Sequence, residues 1–150
     1  MDIDSMNLAI EAIEEIFDIK NINRIIKLEN GKEYEIVFKR SSIQLLEGVT
    51  KENRINIFQN LYQQILTGQV MVTDSTNLIW AGMKHKTPSV TRDWLSDNIP
   101  IEPKKEKELL KQVISVYLYD TKLIETMKDS LEKLGENIQK GQDEKEQGLD

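Results

Sequence analysis

The chain contains no cysteine, a single histidine, three prolines and 6% aromatic residues among its 150 positions. Without cysteine there are no disulfides, thiolate metal sites or thiol nucleophiles. With one histidine, His85, no zinc or iron site of the usual several His or Cys ligands can be assembled. No apolar run approaches the roughly 18 residues of a membrane-spanning helix. The start, "MDIDSMNLAIEAIEE", is acidic early and lacks the basic onset and apolar stretch of a secretory signal. No glycine-rich phosphate cradle is present, because Gly31, Gly48, Gly68 and Gly82 are scattered. Cationic excess is also missing. Lys and Arg number 20 against 26 Asp and Glu, a net charge of −6, which argues against a nucleic-acid footprint.

What is present reads as one mostly helical domain over residues 1–134 followed by a polar end. Residues 7–19 have Ile10, Ile13 and Phe17 at helical spacing, with Glu11, Glu14 and Glu15 elsewhere, which predicts an amphipathic helix. Residues 22–38 predict a β-hairpin turning at Asn30 and Gly31. A two-residue turn would set Leu28 and Ile26 opposite glutamates. A three-residue loop of Glu29, Asn30 and Gly31 pairs Leu28 with Lys32, Ile26 with Tyr34, Arg24 with Ile36 and Ile22 with Phe38, so that the apolar groups share a face. The second register is expected, with Gly31 left-handed. A lone hairpin is marginal in water, so this one needs a helix or a partner to cover it.

Residues 41–134 read as helices. Ser41 or Ser42 caps a short one that Gly48 ends, Thr50 caps a second over 51–67, and Asp74 or Ser75 opens a third. Thr91 caps a fourth, with Val90 and Leu95 at staple spacing. Pro103 starts a long final helix over 104–134, whose apolar spacing skips one step near Asp120. Residues 135–150 hold Lys140 and Lys145 against Glu136, Asp143, Glu144, Glu146 and Asp150, a net of −3, and composition predicts a disordered acidic tail. The fold class is therefore α+β, mainly α: an N-terminal helix and hairpin, then a helical bundle with one long C-terminal helix.

No catalytic, cofactor-binding or metal-ligating set is assigned. His85, Ser89 and Asp93 supply the types of a triad, but no nucleophile elbow or oxyanion nest frames them. His85 reads as a helix-end residue facing carbonyl dipoles. Asp93 and Asp97 lie four apart on one helix face, where solvation is the default. The lysines of "EPKKEKELLK" are nearly balanced by glutamates. The informative stretch is "NLIWAGMKHKTPSVTRDWLSD", which carries both tryptophans and the histidine. Trp80 and Trp94 are expected as core anchors joining two helices, with a protein-binding hot spot as the alternative.

This stretch resembles a motif of tail assembly chaperones from long-tailed bacteriophages: a leucine-rich helix, W/Y-A-G-L, a polar exit with proline, then a Thr-capped acidic helix. Trp80, Ala81, Gly82 and Met83, then Pro88, Thr91, Trp94 and Leu95, carry it here, with Met83 in place of the usual leucine. Upstream, Asn30, Gly31, Lys32 and Tyr34 match an N/D-G-K-x-Y hairpin turn, so the resemblance covers roughly residues 25–99. The helix before the hairpin departs from members that begin almost directly with it. The resemblance implies a non-enzymatic protein of the infected bacterial cytoplasm, absent from the mature virion. It would hold the tape-measure protein soluble while tail-tube subunits polymerise, and a frameshifted longer form would recruit the tube protein. A homo-oligomer is compatible; cofactors, nucleic acid and membranes are not implied. The competing readings are a small phage or mobile-element DNA-binding regulator built on the helices around Pro88, and a structural tail or head-completion protein.

Overall fold

A computed structural model of the chain describes residues 2–148, with side chains through residue 141. The architecture is mainly helical with one two-stranded antiparallel hairpin, as the sequence predicts. The elements are α1 (Ile3–Phe17), β1 (Ile25–Lys27), β2 (Glu33–Glu35), α2 (Arg40–Thr50), α3 (Arg54–Thr67), α4 (Val72–Met83), α5 (Arg92–Ser96), α6 (Pro103–Thr121) and α7 (Leu123–Gly148). They fall into two compact units where one domain over 1–134 is expected: Met1–Ile16 with Lys122–Asp150, and Phe17–Thr121.

The first unit is a helical pair. Lys128 Nζ meets Glu14 Oε1 at 3.0 Å, and a Cβ on Gly135 would lie 3.6 Å from Ile3 Cδ1, so α1 and α7 run antiparallel. Five lysines face thirteen acids in its sequence, a net of −8, whereas the second unit has fifteen Lys and Arg against thirteen acids, a net of +2. The chain's whole acidic excess therefore resides in the smaller unit.

Two expectations fail here. The single helix over 104–134 is two helices, broken at Lys122, which is left-handed at φ 53°. The skipped apolar step near Asp120 marks the place: Asp120 is engaged in polar contacts of the second unit and the pattern restarts at Leu123, which is buried. The disordered tail is also corrected, since helix continues through Gly148. Glu, Lys and Gln are good helix formers even where they bury nothing, so low hydrophobicity alone does not end a helix. Leu149 and Asp150 lie outside the described residues.

The second unit is built around α4 and α6. Residues Val113 to Leu118 are buried without interruption, so every face of α6 is covered there. On α4, Leu78, Ile79, Ala81 and Met83 are at most 1% exposed. Phe17, Phe58 and Tyr62 form an aromatic cluster with ring centroids 5.5–6.0 Å apart.

The hairpin takes the three-residue register. Ile26 pairs with Tyr34, the Leu28 N–H donates to the Lys32 carbonyl at 3.1 Å, and Gly31 is left-handed at φ 79°. Pairing ends at Arg24 and Ile36 and does not reach Ile22 and Phe38, because the strand leaves β1 and turns onto α4.

Helix boundaries shift by a few residues. Ser42 is the third residue of α2, and its Oγ accepts from the Lys39 N–H at 3.1 Å. Gly48 sits inside α2, which ends at Thr50 and is followed by Lys51, left-handed at φ 60°. Asn53, not Thr50, caps α3 by accepting from the Asn56 N–H at 2.9 Å; Gly68 ends it as expected, at φ 72°. Helix α4 starts before Asp74, with Met71 at its cap position. Met71 has no side-chain oxygen to offer. Gln64 supplies support instead: its Oε1 accepts from the Met71 N–H at 2.8 Å and its Nε2 donates to Asp74 at 2.7 Å.

Candidate protein-binding surface

The chain from α4 to α5 first serves the hairpin. Ala81 and Met83 are fully buried, and Gly82 lets the hairpin close in: a Cβ there would lie 2.8 Å from both Ile36 Cγ2 and Phe38 Cζ. In that space the Val37 N–H donates to the Gly82 carbonyl at 3.0 Å. The turn end is tied as well, by the Glu29 N–H to the Asn98 carbonyl at 2.9 Å. From α6, Gln112 Nε2 donates to the Ile25 carbonyl at 2.6 Å. Arg24 forms a fork on Asp120, at 2.6 and 2.9 Å, while Asp120 also accepts from the Phe38 N–H at 2.9 Å. The hydrogen bonds that Arg24 donates to Asp120 raise its pKa above its already high usual value. The hairpin is thus tied by hydrogen bonds to both α4 and α6.

The tryptophans depart from their expected place. Both were expected as core anchors; Trp80 is only half-buried and Trp94 is 39% exposed. The helical period puts Leu78, Ile79 and Met83 inward on α4, which leaves Trp80 at the margin. Its indole Nε1 donates to the Val90 carbonyl at 3.3 Å, and the Arg92 guanidinium stands over its ring at 5.3 Å. Arg92 Nη1 also donates to Asn77 Oδ1 at 3.3 Å. On α5, Leu95 is the buried residue, and Trp94 turns out beside Tyr34 with ring centroids 6.0 Å apart, edge to face. Asn30 supports this pair by donating from Nδ2 to the Tyr34 hydroxyl at 2.8 Å, while its Oδ1 accepts from the Lys32 N–H at 3.1 Å. Asn98 donates to the Trp94 carbonyl at 2.9 Å.

The remaining motif residues are structural. Thr91 caps α5 by accepting from the Trp94 N–H at 3.2 Å, Val90 and Leu95 are both buried, and Pro88 is exposed in the turn. His85 is exposed in the same turn and makes no hydrogen bond to Ser89 or Asp93. Sequence reasoning names eight motif residues but misses Tyr34 and Arg92 as parts of the surface. For Tyr34 the signal in the sequence is an aromatic opposite Ile26 beside a glycine-bulge turn.

Chemically, Trp94 and Tyr34 form an edge-to-face aromatic pair, and Trp80 lies under the Arg92 guanidinium. An exposed aromatic such as Trp94, backed by a half-buried one such as Tyr34, suits protein contact. Helix α5 has five residues, with Asp93 in its first turn, a poor match to a recognition helix that must enter a groove of phosphate. Among the described residues, no group of three or more His, Asp or Glu is placed to hold a metal ion, and no helix is long and apolar enough to cross a membrane. No protein-family model matches the chain, and neither a curated protein nor a solved structure matches it.

Proposed function

We propose that this chain is a non-enzymatic tail assembly chaperone of a long-tailed bacteriophage, which binds the tape-measure protein and keeps it soluble while the tail tube polymerises. The observation that carries the reading is the placement of Tyr34, Trp80 and Trp94. The stretch that resembles the chaperone motif holds two of them out of the core. Its buried residues, Ala81, Gly82, Met83 and Leu95, lock the hairpin and α5 under that surface. A long apolar client helix would lay side chains against the aromatic rings, as in helix-in-groove recognition. The protein would act in the cytoplasm of the infected host and be missing from the finished virion. A frameshifted longer form would add contacts to the tube protein.

Co-expression with a tape-measure fragment tests the reading. The expected result is a soluble complex by size exclusion with light scattering, from a fragment that aggregates alone. A fragment that stays insoluble, or that elutes apart from this chain, would refute it. A protein recovered as a stoichiometric component of purified virions would instead favour a structural role.

A further inference from the structure

We propose that the concavity formed by the start of α2, the start of α3 and the end of α6 is a docking site for a short acidic segment of a partner protein. It is a cavity of about 310 Å³ with Lys39, Arg40 and Arg54 around it. Phe38 and Ile43 lie at its base and are almost wholly buried.

The charge at this site is not absorbed by the fold. Two acids, Glu47 and Asp120, also line it. Asp120 is neutralised by the two-point contact with Arg24, which is not among the lining residues. That leaves three cations against Glu47 alone. Among the described residues, none of Lys39, Arg40 and Arg54 is in a salt bridge. Their positions also work against stability. Arg40 is the first residue of α2 and Arg54 the first of α3, and neither helix has an acid in its first turn. Cations there oppose the helix dipole, where an acid would be favoured. Local choices that conflict with folding mark functional positions. The hollow lies in the second unit, whose own net charge is +2.

The shape selects the class of ligand. Small-molecule sites are enclosed and mostly apolar. This hollow is rimmed by three exposed cationic side chains and bears Glu47, which would repel a dense polyphosphate. Carboxylates spaced along a peptide can reach the guanidinium forks one at a time. The surface is distinct from that of Tyr34 and Trp94, so this inference stands or falls apart from the chaperone reading.

The test uses the full chain and a fluorescent ten-residue Asp/Glu peptide with one central leucine, followed by anisotropy at about 50 mM salt, where surface charges are weakly screened. Binding is expected, and the Asn/Gln counterpart should not bind. The double substitution Arg40→Gln with Arg54→Gln should weaken it about tenfold or more, and Glu47→Gln should strengthen it about two- to threefold. The exposed pair Lys104→Gln with Lys105→Gln lies outside the hollow and should leave affinity unchanged, with circular dichroism confirming the fold of each variant. Four results would overturn the proposal. The acidic peptide does not bind, or the two double variants lose affinity equally. Millimolar inorganic phosphate displaces the peptide, or a single-stranded DNA ten-mer binds more tightly than it.

Discussion

The backbone N–H of Val37 donates to the carbonyl of Gly82 at 3.0 Å, with no room between the two segments for a β-carbon. This contact joins the hairpin to α4 and makes Gly82 irreplaceable for a steric reason, since the glycine is helical and needs no unusual backbone angle. Gly82→Ala should cost roughly 2 kcal/mol or more, because Ile36 and the Phe38 ring must both retreat from a filled core. Urea denaturation of the two proteins measures it. An unchanged midpoint would show that the hairpin can slide.

Asp120 serves two donors, the Arg24 fork and the Phe38 N–H, so its loss strands more than the loss of Arg24 does. Asp120→Ala should destabilise by roughly 3 kcal/mol and Arg24→Ala by roughly 2 kcal/mol, with coupling between them of about 1–2 kcal/mol in a double-mutant cycle. Additive effects would mean that the pair is not energetically joined.

Glu106 gives a pH dependence whose sign is fixed. It is 9% exposed, and burial raises its carboxyl pKa, partly opposed by the Ser75 hydroxyl. A raised folded value means that the neutral acid is favoured in the fold. Stability from this group is full below the unfolded value near 4.5 and is lost as pH climbs through the folded value. Glu106→Gln should therefore match the parent near pH 4 and exceed it in melting temperature at pH 7. Parallel melting curves from pH 4 to 8 check this, and a constant offset would contradict it.

Trp94 separates folding from binding. It is 39% exposed, while its neighbour Leu95 is fully buried. Trp94→Ala should alter stability by less than about 1 kcal/mol yet weaken a client complex by about tenfold or more, as expected for an aromatic anchor. Leu95→Ala should do the reverse to stability, costing about 2–5 kcal/mol. Thermal melts read beside client titrations distinguish the two.

Much of this architecture was legible in the residues. The Asn30–Gly31 turn and the phase of Ile26, Leu28 and Ile36 specify the hairpin register, because a one-residue slip would turn the apolar side of one strand away from that of the other. Thr91 and Gly68 mark a helix start and a helix end by local chemistry. The candidate surface was only half legible. Its motif was visible, but the outward placement of Trp80 and Trp94 was not, since a large aromatic on a helix reads as core until its neighbours are known. The start of α4 was hidden for a similar reason: Gln64, seven residues before Met71, supports it from another helix.

The residues alone determined the helical class, the hairpin and its register, the lack of thiol chemistry and the acidic balance, because these follow from period, turn geometry and composition. Tertiary structure decided that Gly82 is a contact point, that the last helical stretch breaks at Lys122, and that Trp94 is exposed while Trp80 lies at the margin of the core. It also gathered Lys39, Arg40 and Arg54 around one hollow. Each of these depends on which side chains meet across distant parts of the chain, and local sequence constrains such meetings only weakly.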